Sequence, residues 1–446
     1  MRAMVLGFGV TGQAVADALL AHGDPVVVVD DRPSESSRVA AADRGLELVE
    51  APTADELAVL LGQCDVVVPS PGVPEAHAVF HLAISLGVAV ESEFDLAGRW
   101  DDRPIVAITG TDGKTTVTML VTEMLRASGV NAVACGNTET PLVEAILDQS
   151  TDVFVVEASS FRLGTTRSFR PRVAVWLNFA PDHLDAHKSL SSYEEAKARI
   201  WADFDEENGL AVANAEDAVV LANRNPLAKT VTFGPSGSDA DATVVAGDLC
   251  LPDGTHVIAI SELARSFPHD ISNALAATVA AMEMGATLEG VRTTLGSFRG
   301  LAHRLQLIGE CDGVRWFDDS KATTPHAALT AVAAFNSVVL IAGGRNKGLD
   351  LSVLAAATPP VRAVVAMGEC ANEIAAAFNK RCPVEQVTTS MADVVAVAHS
   401  IAQPGDVVIL SPGCASFDWF GSYGERGDAF TKLAQLLPNF HSEVAA

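Results

Sequence analysis

At 446 residues, 49% hydrophobic and 19% charged, the chain holds material for about three ordinary domains rather than one core. Thirty Lys and Arg against 56 Asp and Glu give a formal charge of -26, so nucleic acid and anionic membrane are repelled over most of the surface. No run of 18 apolar residues occurs and the seven cysteines form no C-x-x-C pair, which argues against a transmembrane helix and a zinc ribbon and for a cytoplasmic protein in a reducing compartment.

The opening Met1–Gly7 runs into a glycine-rich turn and reads as a strand, not a signal peptide. Through a first block, residues 1–98, the pattern predicts strands at Ala3–Leu6, Val26–Asp30, Leu46–Glu50, Asp65–Pro69 and Val88–Glu91. Helices are predicted between them at Gly12–Ala21, Ala54–Leu61 and Ala76–Leu86, an alternation that implies a parallel sheet covered on both faces. Gly7-Phe8-Gly9-Val10-Thr11-Gly12 fits G-x-G-x-x-G between the first strand and helix, and Asp30 and Asp31 end the second strand. Three readings fit: a dinucleotide with an acid on its ribose, another nucleotide in the same crevice, or glycines serving helix–strand packing. A dehydrogenase has no need of a second, triphosphate-type loop, and such a loop follows.

Residues 99–297 form the second block, entered through the polar hinge Trp100–Pro104. The apolar run Ile105–Thr109 stops at Gly110-Thr111-Asp112-Gly113, and Lys114-Thr115-Thr116 lead into a predicted helical segment, Val117–Ser128. Glycines let backbone N–H groups approach a triphosphate, the helix N-terminus adds positive potential, Lys114 neutralises phosphate oxygens and Thr115 can ligate Mg²⁺. The loop is shorter than the usual eight-residue pattern, because Ile108 stands where the first glycine would be and Gly110 makes the turn. A surface glycine turn is the alternative. Strands at Val153–Glu157 and Val173–Asn178, helices at Tyr193–Phe204 and Asn273–Met284, and an antiparallel excursion within 230–268 are predicted beyond it.

The third block, 298–446, returns to alternation, with apolar runs around Ile341 and Val364 and at Val407–Leu410, and predicted helices at Ala371–Phe378 and Phe430–Leu437. The expected fold class is α/β in three domains: Rossmann-like N-terminal, P-loop-type central and ATP-binding, Rossmann-like C-terminal. No repeat with a period of about 20–50 residues appears, which excludes a solenoid.

Several residues invite chemistry on their own. Only eight lysines are present, and Lys114, Lys197, Lys321 and Lys347 fall in the segments of interest. Glu157 closes a strand, where a carboxylate can join Thr115 around Mg²⁺; otherwise it is a strand-end charge in solvent. His183, beside Asp182 and Asp185, is a candidate ligand for a second metal, although a lone His more often satisfies a hydrogen bond. Lys197 by pattern alone is a surface helical lysine paired with Glu194. Asn273 at a predicted helix start reads as an N-cap.

A series of segments then runs in one order along nearly the whole chain. It comprises Gly7–Gly12, Ser70-Pro71-Gly72-Val73, Gly110–Thr116, Cys135-Gly136-Asn137, Glu157-Ala158-Ser159-Ser160-Phe161, Asn178 with Asp182-His183-Leu184-Asp185, and Tyr193–Arg199. Asn273-Ala274-Leu275, His303-Arg304, Asp319–Thr323, Gly343–Lys347, Ser411–Asp418 and Arg426-Gly427 follow. With them the chain resembles the Mur ligase family, and within it the branch that joins glutamate to a UDP-muramoyl-alanine.

The resemblance implies an ATP-dependent ligase that adds D-glutamate to UDP-N-acetylmuramoyl-L-alanine through an acyl phosphate, in peptidoglycan precursor synthesis. It implies Lys114, Glu157, His183 and Lys197 as catalytic, and Mg²⁺ held by Thr115, Glu157, His183 and Lys197, the last as a carbamate. ATP is assigned to Gly110, Thr111, Asp112, Gly113, Lys114, Thr115, Thr116, Asn273, Arg304 and Asp319. The UDP substrate is assigned to Gly9, Val10, Thr11, Asp30, Asp31, Arg32, Ser70, Gly72, Asn137 and Ser159, and D-glutamate to Thr323, Lys347, Ser416, Phe417 and Tyr423. These parts agree chemically, since a carboxylate must be activated against the repulsion of a γ-phosphate before an amine can capture it. The partners are small molecules, with no nucleic acid or membrane insertion, and a monomer is the expected assembly.

Two departures bear on the substrate. Where the family reads Gly-Asn-Ile-Gly-x-Pro this chain has Gly136-Asn137-Thr138-Glu139-Thr140-Pro141, and for Ser-Ser-Phe-Gln-Leu-Glu it has Ser159-Ser160-Phe161-Arg162-Leu163-Gly164. Glu139 and Arg162 either offset one another or mark a different sugar-peptide. The competing readings are a Mur-type ligase with another muramoyl substrate or amino acid, such as L-glutamate, and a non-catalytic nucleotide-binding paralogue. The retained Lys114, Glu157, His183 and Lys197 oppose the paralogue, because a scaffold gains nothing from two metal sites.

Overall fold

The computed structural model describes all residues except 138–139, 184–185, 206, 236–238 and 443–446, so Glu139, Leu184 and Asp185 lie outside the described residues. The chain divides into two compact units. The first comprises Met1–Phe179, Ala186–Ser266 and Asp270–Phe298, and the second Ala180–Asp185, Phe267–His269 and Arg299–Ala446.

The first unit opens with a five-stranded sheet in the order Leu48–Glu50, Val26–Asp30, Ala3–Leu6, Val66–Pro69, Ala89–Val90, all parallel. Its valine-rich strands suit burial on both faces, as the sequence suggests. Chain order reverses beside Ala3–Leu6, so the turns after Ala3–Leu6 and Val66–Pro69 border one crevice, the place where open α/β sheets bind ligands. Two further helices stand outside the predicted elements: Glu35–Asp43, capped by Ser34, and Glu93–Trp100, opened by a Ser92–Asp95 capping box.

A six-stranded parallel sheet follows in the order Lys229–Phe233, Leu210–Asn214, Val173–Trp176, Ile105–Thr109, Val153–Glu157, Ala132–Gly136. Its register places Ile108 opposite Glu157 and Thr109 opposite Trp176. The antiparallel excursion is present as Thr243–Val245, Asp248–Cys250 and His256–Ala259. Helix boundaries differ from the expected ones where caps decide them. A Ser189–Ser192 capping box starts one helix at Leu190, and it runs to Ala198 before a 3-10 turn. Another spans Pro268–Glu283, beginning at a proline whose fixed φ suits the first helical position. Asn273 therefore lies inside that helix and is not its N-cap.

The second unit is built on a seven-stranded sheet in the order Val384–Val387, Val361–Met367, Val338–Gly343, Val407–Leu410, Val314–Asp318, Gln306–Cys311, Phe440–Ser442. The first five strands are parallel and the last two join antiparallel. The order reverses between Val338–Gly343 and Val407–Leu410, so the loops after these strands flank a second crevice of the same kind. The helix expected at Phe430–Leu437 is Tyr423–Ala434, started by Ser422, which accepts from Glu425 N. The seven cysteines are free thiols, and among the described residues no helix is long and apolar enough to cross a membrane.

Candidate active site

The phosphate-type loop hangs between the strand Ile105–Thr109 and the helix Lys114–Ala127. Gly113 is the N-cap at φ +84°, in the left-handed region that favours glycine, and a Cβ there would sit 2.9 Å from Asn273 Oδ1. Asn273 thus reaches the loop from the middle of its helix. Lys114 Nζ donates to the carbonyls of Gly110 and Thr111 at 2.9 and 2.8 Å. Thr115 and Thr116 are the second and third residues of the helix, beside its N-terminal N–H groups.

Lys197 is not the surface lysine that its pattern alone suggests: it is 1% exposed, and its Nζ donates to Gly110 O at 2.8 Å. The ammonium also lies 4.6 Å from the centre of the Tyr193 ring, whose hydroxyl is 3.2 Å from Thr111 Oγ1. Glu157 ends its strand at 4% exposure rather than in solvent. Asn137 Nδ2 donates to Glu157 Oε1 at 3.0 Å, so an amide faces this buried carboxylate. Lys114, Lys197 and Glu157 therefore converge around one end of the central sheet.

Asn178 is a part of the loop that the motif leaves unassigned. Its carbonyl accepts from Thr111 N at 3.1 Å, its Oδ1 from Asp112 N at 2.9 Å, and its Nδ2 donates to Asp112 O at 3.2 Å. Its position at the end of the predicted strand Val173–Asn178, level with the neighbouring loop in a parallel sheet, is the signal that could have found it.

At the first crevice, a cavity of about 660 Å³ is walled by Gly9, Val10, Thr11, Asp30, Asp31, Arg32, Ser70, Gly72 and Asn137, all assigned to the UDP substrate from sequence, and by Arg162. Asp30 accepts from Phe8 N at 2.7 Å and Arg32 N at 2.8 Å, and Ser70 Oγ donates to Gly7 O at 2.7 Å, so side chains set the shape of both turns. Ser159 is not part of this wall; it is the N-cap of the short helix Ser160–Leu163, with a buried hydroxyl that has no hydrogen-bond partner among the described residues. Arg162 is paired with Glu93, a residue given no role in the sequence reading.

The remaining candidates belong to the second unit. His183, at φ +56°, bonds Asp182 through its backbone N–H at 2.8 Å and lies 3.2 Å from it through Nε2. Lys347 Nζ lies 3.3 Å from both Asp182 Oδ1 and Thr323 Oγ1. A two-way backbone bridge between Arg345 and Ala415, both bonds 2.9 Å, ties the Lys347 loop to the loop carrying Ser416 and Phe417. Ser416 is buried, whereas Phe417 is 61% exposed. Lys321 Nζ lies 3.8 Å from the centre of the Tyr423 ring.

Behind this crevice, Arg426 is 1% exposed and donates to Ser320 O, Ser320 Oγ and Cys414 O; burial pulls its guanidinium down to about 10. Asp319 accepts from Ser411 Oγ at 2.7 Å and Leu305 N at 3.0 Å, yet burial, helped by neighbouring Asp318, pushes its carboxyl up to about 7. Arg304, next to Leu305, adds an opposing electrostatic pull on Asp319.

Comparison with known proteins extends this geometry. A Mur ligase MurD-like N-terminal domain matches residues 1–92, a Mur ligase middle domain 108–281, and a Mur ligase glutamate ligase domain 303–414. The chain is 39% identical over 449 residues to a UDP-N-acetylmuramoylalanine--D-glutamate ligase of Desulfosudis oleivorans, covering 98% of this chain and 96% of that one. It is 40% identical over 439 residues to a protein of the same name from Frankia casuarinae, covering 96% and 92%. Among solved structures, MurF from Acinetobacter baumannii aligns with a TM-score of 0.59 at 19% identity, over 97% of this chain and 90% of that one. UDP-N-acetylmuramate-alanine ligase MurC from Thermotoga maritima aligns at 0.58 and 20% identity, over 98% and 99%. The three-domain α/β architecture read from the sequence is theirs, and the chain belongs to the Mur ligase family.

Proposed function

We propose that this chain is an ATP-dependent ligase that forms the amide between D-glutamate and the terminal carboxylate of UDP-N-acetylmuramoyl-L-alanine. The carboxylate takes the γ-phosphoryl group of ATP, ADP departs, the amine of D-glutamate attacks the acyl phosphate, and the tetrahedral adduct expels phosphate. The observation that carries this reading is the meeting of Lys114 and Lys197 on the Gly110 carbonyl, close to the buried Glu157.

In this reading Gly110–Thr116 and Asn273 hold ATP, and the family resemblance assigns Arg304 and Asp319 to ATP as well. The cavity beside Gly9–Thr11 takes the sugar nucleotide, and Thr323, Lys347, Ser416, Phe417 and Tyr423 take D-glutamate. A cation beside a hydroxyl suits a side-chain carboxylate, and Lys347 beside Thr323 is such a pair. The donor set fits Mg²⁺: the Thr115 hydroxyl and the Glu157 carboxylate are hard oxygen ligands, and a carboxylate buried against an amide gains from a cation. Bound there, Mg²⁺ would screen the like charges of phosphate and carboxylate. The family resemblance also assigns His183 and a Lys197 carbamate as metal ligands; the carbamate forms from CO₂ and the neutral amine with loss of one proton. Domain limits of 1–98, 99–297 and 298–446, a cytoplasmic location and a monomeric state complete the proposal.

Phosphate release from ATP, measured over a panel of UDP-muramoyl substrates and amino acids, tests it. Release is expected with UDP-N-acetylmuramoyl-L-alanine and D-glutamate together. Release with L-glutamate alone would reassign the acceptor, and none with any pair would mean a non-catalytic nucleotide-binding protein.

A further inference from the structure

Glu93 and Arg162 form an ion pair inside the first unit at 3% and 6% exposure. Arg162 Nη1 donates to Glu93 Oε1, and Nη2 donates to Thr11 Oγ1 at 3.0 Å. The second oxygen of Glu93 accepts from Val143 N at 3.1 Å, at the start of the helix Leu142–Ala145. The carboxylate is thus anchored on one side and holds the guanidinium on the other. Arg162 in turn walls the 660 Å³ cavity together with Gly9, Val10, Thr11 and Asn137.

Stability alone is a weak reason for such a pair, because desolvating two charges offsets most of their attraction and apolar replacements often do as well. What the pair does do is set a fixed cation at the edge of the cavity. The twelve-residue helix Val10–Ala21 starts at the same place, and Gly9, its N-cap, supplies no side-chain cap. Its N-terminal N–H groups and macrodipole therefore face the cavity wall with positive potential. Arg162 Nε is buried and has no hydrogen-bond partner among the described residues. Thr11 Oγ1 accepts from Arg162, which leaves its own proton for an acceptor on the cavity side. Arg162, Thr11 and the helix N-terminus together offer donors and positive charge to one anion.

We propose that Arg162 is the diphosphate-binding cation of the sugar-nucleotide cavity, and that Glu93 is the positioning residue that aims it. The proposal rests on reading that cavity as the sugar-nucleotide site, and it makes the charge at position 162 a determinant of how tightly the diphosphate is held. Glu93 touches no substrate; it acts through Arg162.

The test is calorimetric titration of UDP and of uridine into the whole protein, for the wild type, R162Q, E93Q and the matched neutral pair E93Q/R162Q. The double variant strands neither charge, so it separates the loss of the cation from the cost of leaving its partner buried alone. UDP affinity is expected to fall about ten- to a hundredfold in R162Q and in the double variant, as for loss of a charge-assisted hydrogen bond, with uridine affinity unchanged. E93Q is expected to raise KM for the UDP substrate with kcat unchanged, and raising the salt from roughly 50 to 500 mM is expected to weaken UDP binding in the wild type more than in the double variant. Wild-type UDP affinity in the double variant would overturn the role of Arg162 while leaving the cavity reading intact. A wild-type protein that binds neither UDP nor uridine would overturn the cavity reading, and this proposal with it.

Discussion

Lys114 and Lys197 donate to one acceptor, the carbonyl oxygen of Gly110, at 2.9 and 2.8 Å. Two lysines 83 residues apart in sequence thus fix the same turn, one from its own helix and one from the helix Leu190–Ala198. In an acidic protein with eight lysines, two of them meet at this one turn.

Lys197→Ala should therefore cost far more than a surface lysine would. Turnover is expected to drop about 100- to 1,000-fold or more, with partial rescue by short carboxylates that stand in for the carbamate. Steady-state phosphate release, with and without added formate or acetate, checks this, and an undiminished rate in the variant would remove the assignment.

At Gly113 an alanine meets two obstacles: a left-handed backbone and Asn273 Oδ1 2.9 Å from its Cβ. Gly113→Ala is expected to destabilise by about 1–2 kcal/mol and to raise KM for ATP while leaving KM for D-glutamate alone. Urea unfolding and substrate-varied kinetics separate the two effects.

Lys347→Ala removes the cation beside Thr323 and Asp182. KM for D-glutamate should rise by about tenfold or more, with KM for ATP nearly constant. A change confined to ATP would place Lys347 in another role.

Asp319 gives a pH signature. Its carboxyl stands at about 7 when folded, against an ordinary value of 3.8, so the folded protein binds more protons than the unfolded one between these values. Stability from this group is present at the acid end and lost as pH rises through about 7, and the slope is flat above that. The loss is of the order of a few kcal/mol, and Asp319→Asn should remove it. His303, raised by its bond to Asp318, loses stability in the same direction and stays in place as the internal control. Denaturant titrations from about pH 5 to 8 read the difference; an unchanged slope in the variant counts against the assignment.

Gly427 sits where a Cβ would lie 2.2 Å from His303 Nδ1 and 2.6 Å from Asp318 Oδ2. Those two groups are themselves bonded at 2.7 Å, so neither can yield cheaply. Gly427→Ala is expected to cost about 3 kcal/mol or more, measured as a drop in the unfolding midpoint.

What could be read in advance follows physical range. Runs such as Val26–Asp30 and Ile105–Thr109 announce strands, because β-branched residues in a row suit a sheet buried on both faces. The glycine turns are legible for the same local reason, while the assignment of Gly9–Thr11, Asp30–Arg32, Ser70 and Gly72, which line the cavity, follows from the family resemblance. Helix starts were less so, since Pro268 and the Ser189–Ser192 box outweighed apolar spacing. Glu93 was invisible because an acidic residue near a polar hinge looks solvated, and its partner Arg162 lies 69 residues away. The departure at position 162 could be seen in the sequence; what answered its charge could not.

The three contacts from Asn178 to Thr111 and Asp112 have a bearing on nucleotide affinity. Because a neighbouring strand end already holds the turn, ordering that backbone is charged to folding rather than to the encounter with ATP. Asn178→Ala would return that conformational entropy to the turn, and the nucleotide would then have to freeze it on arrival.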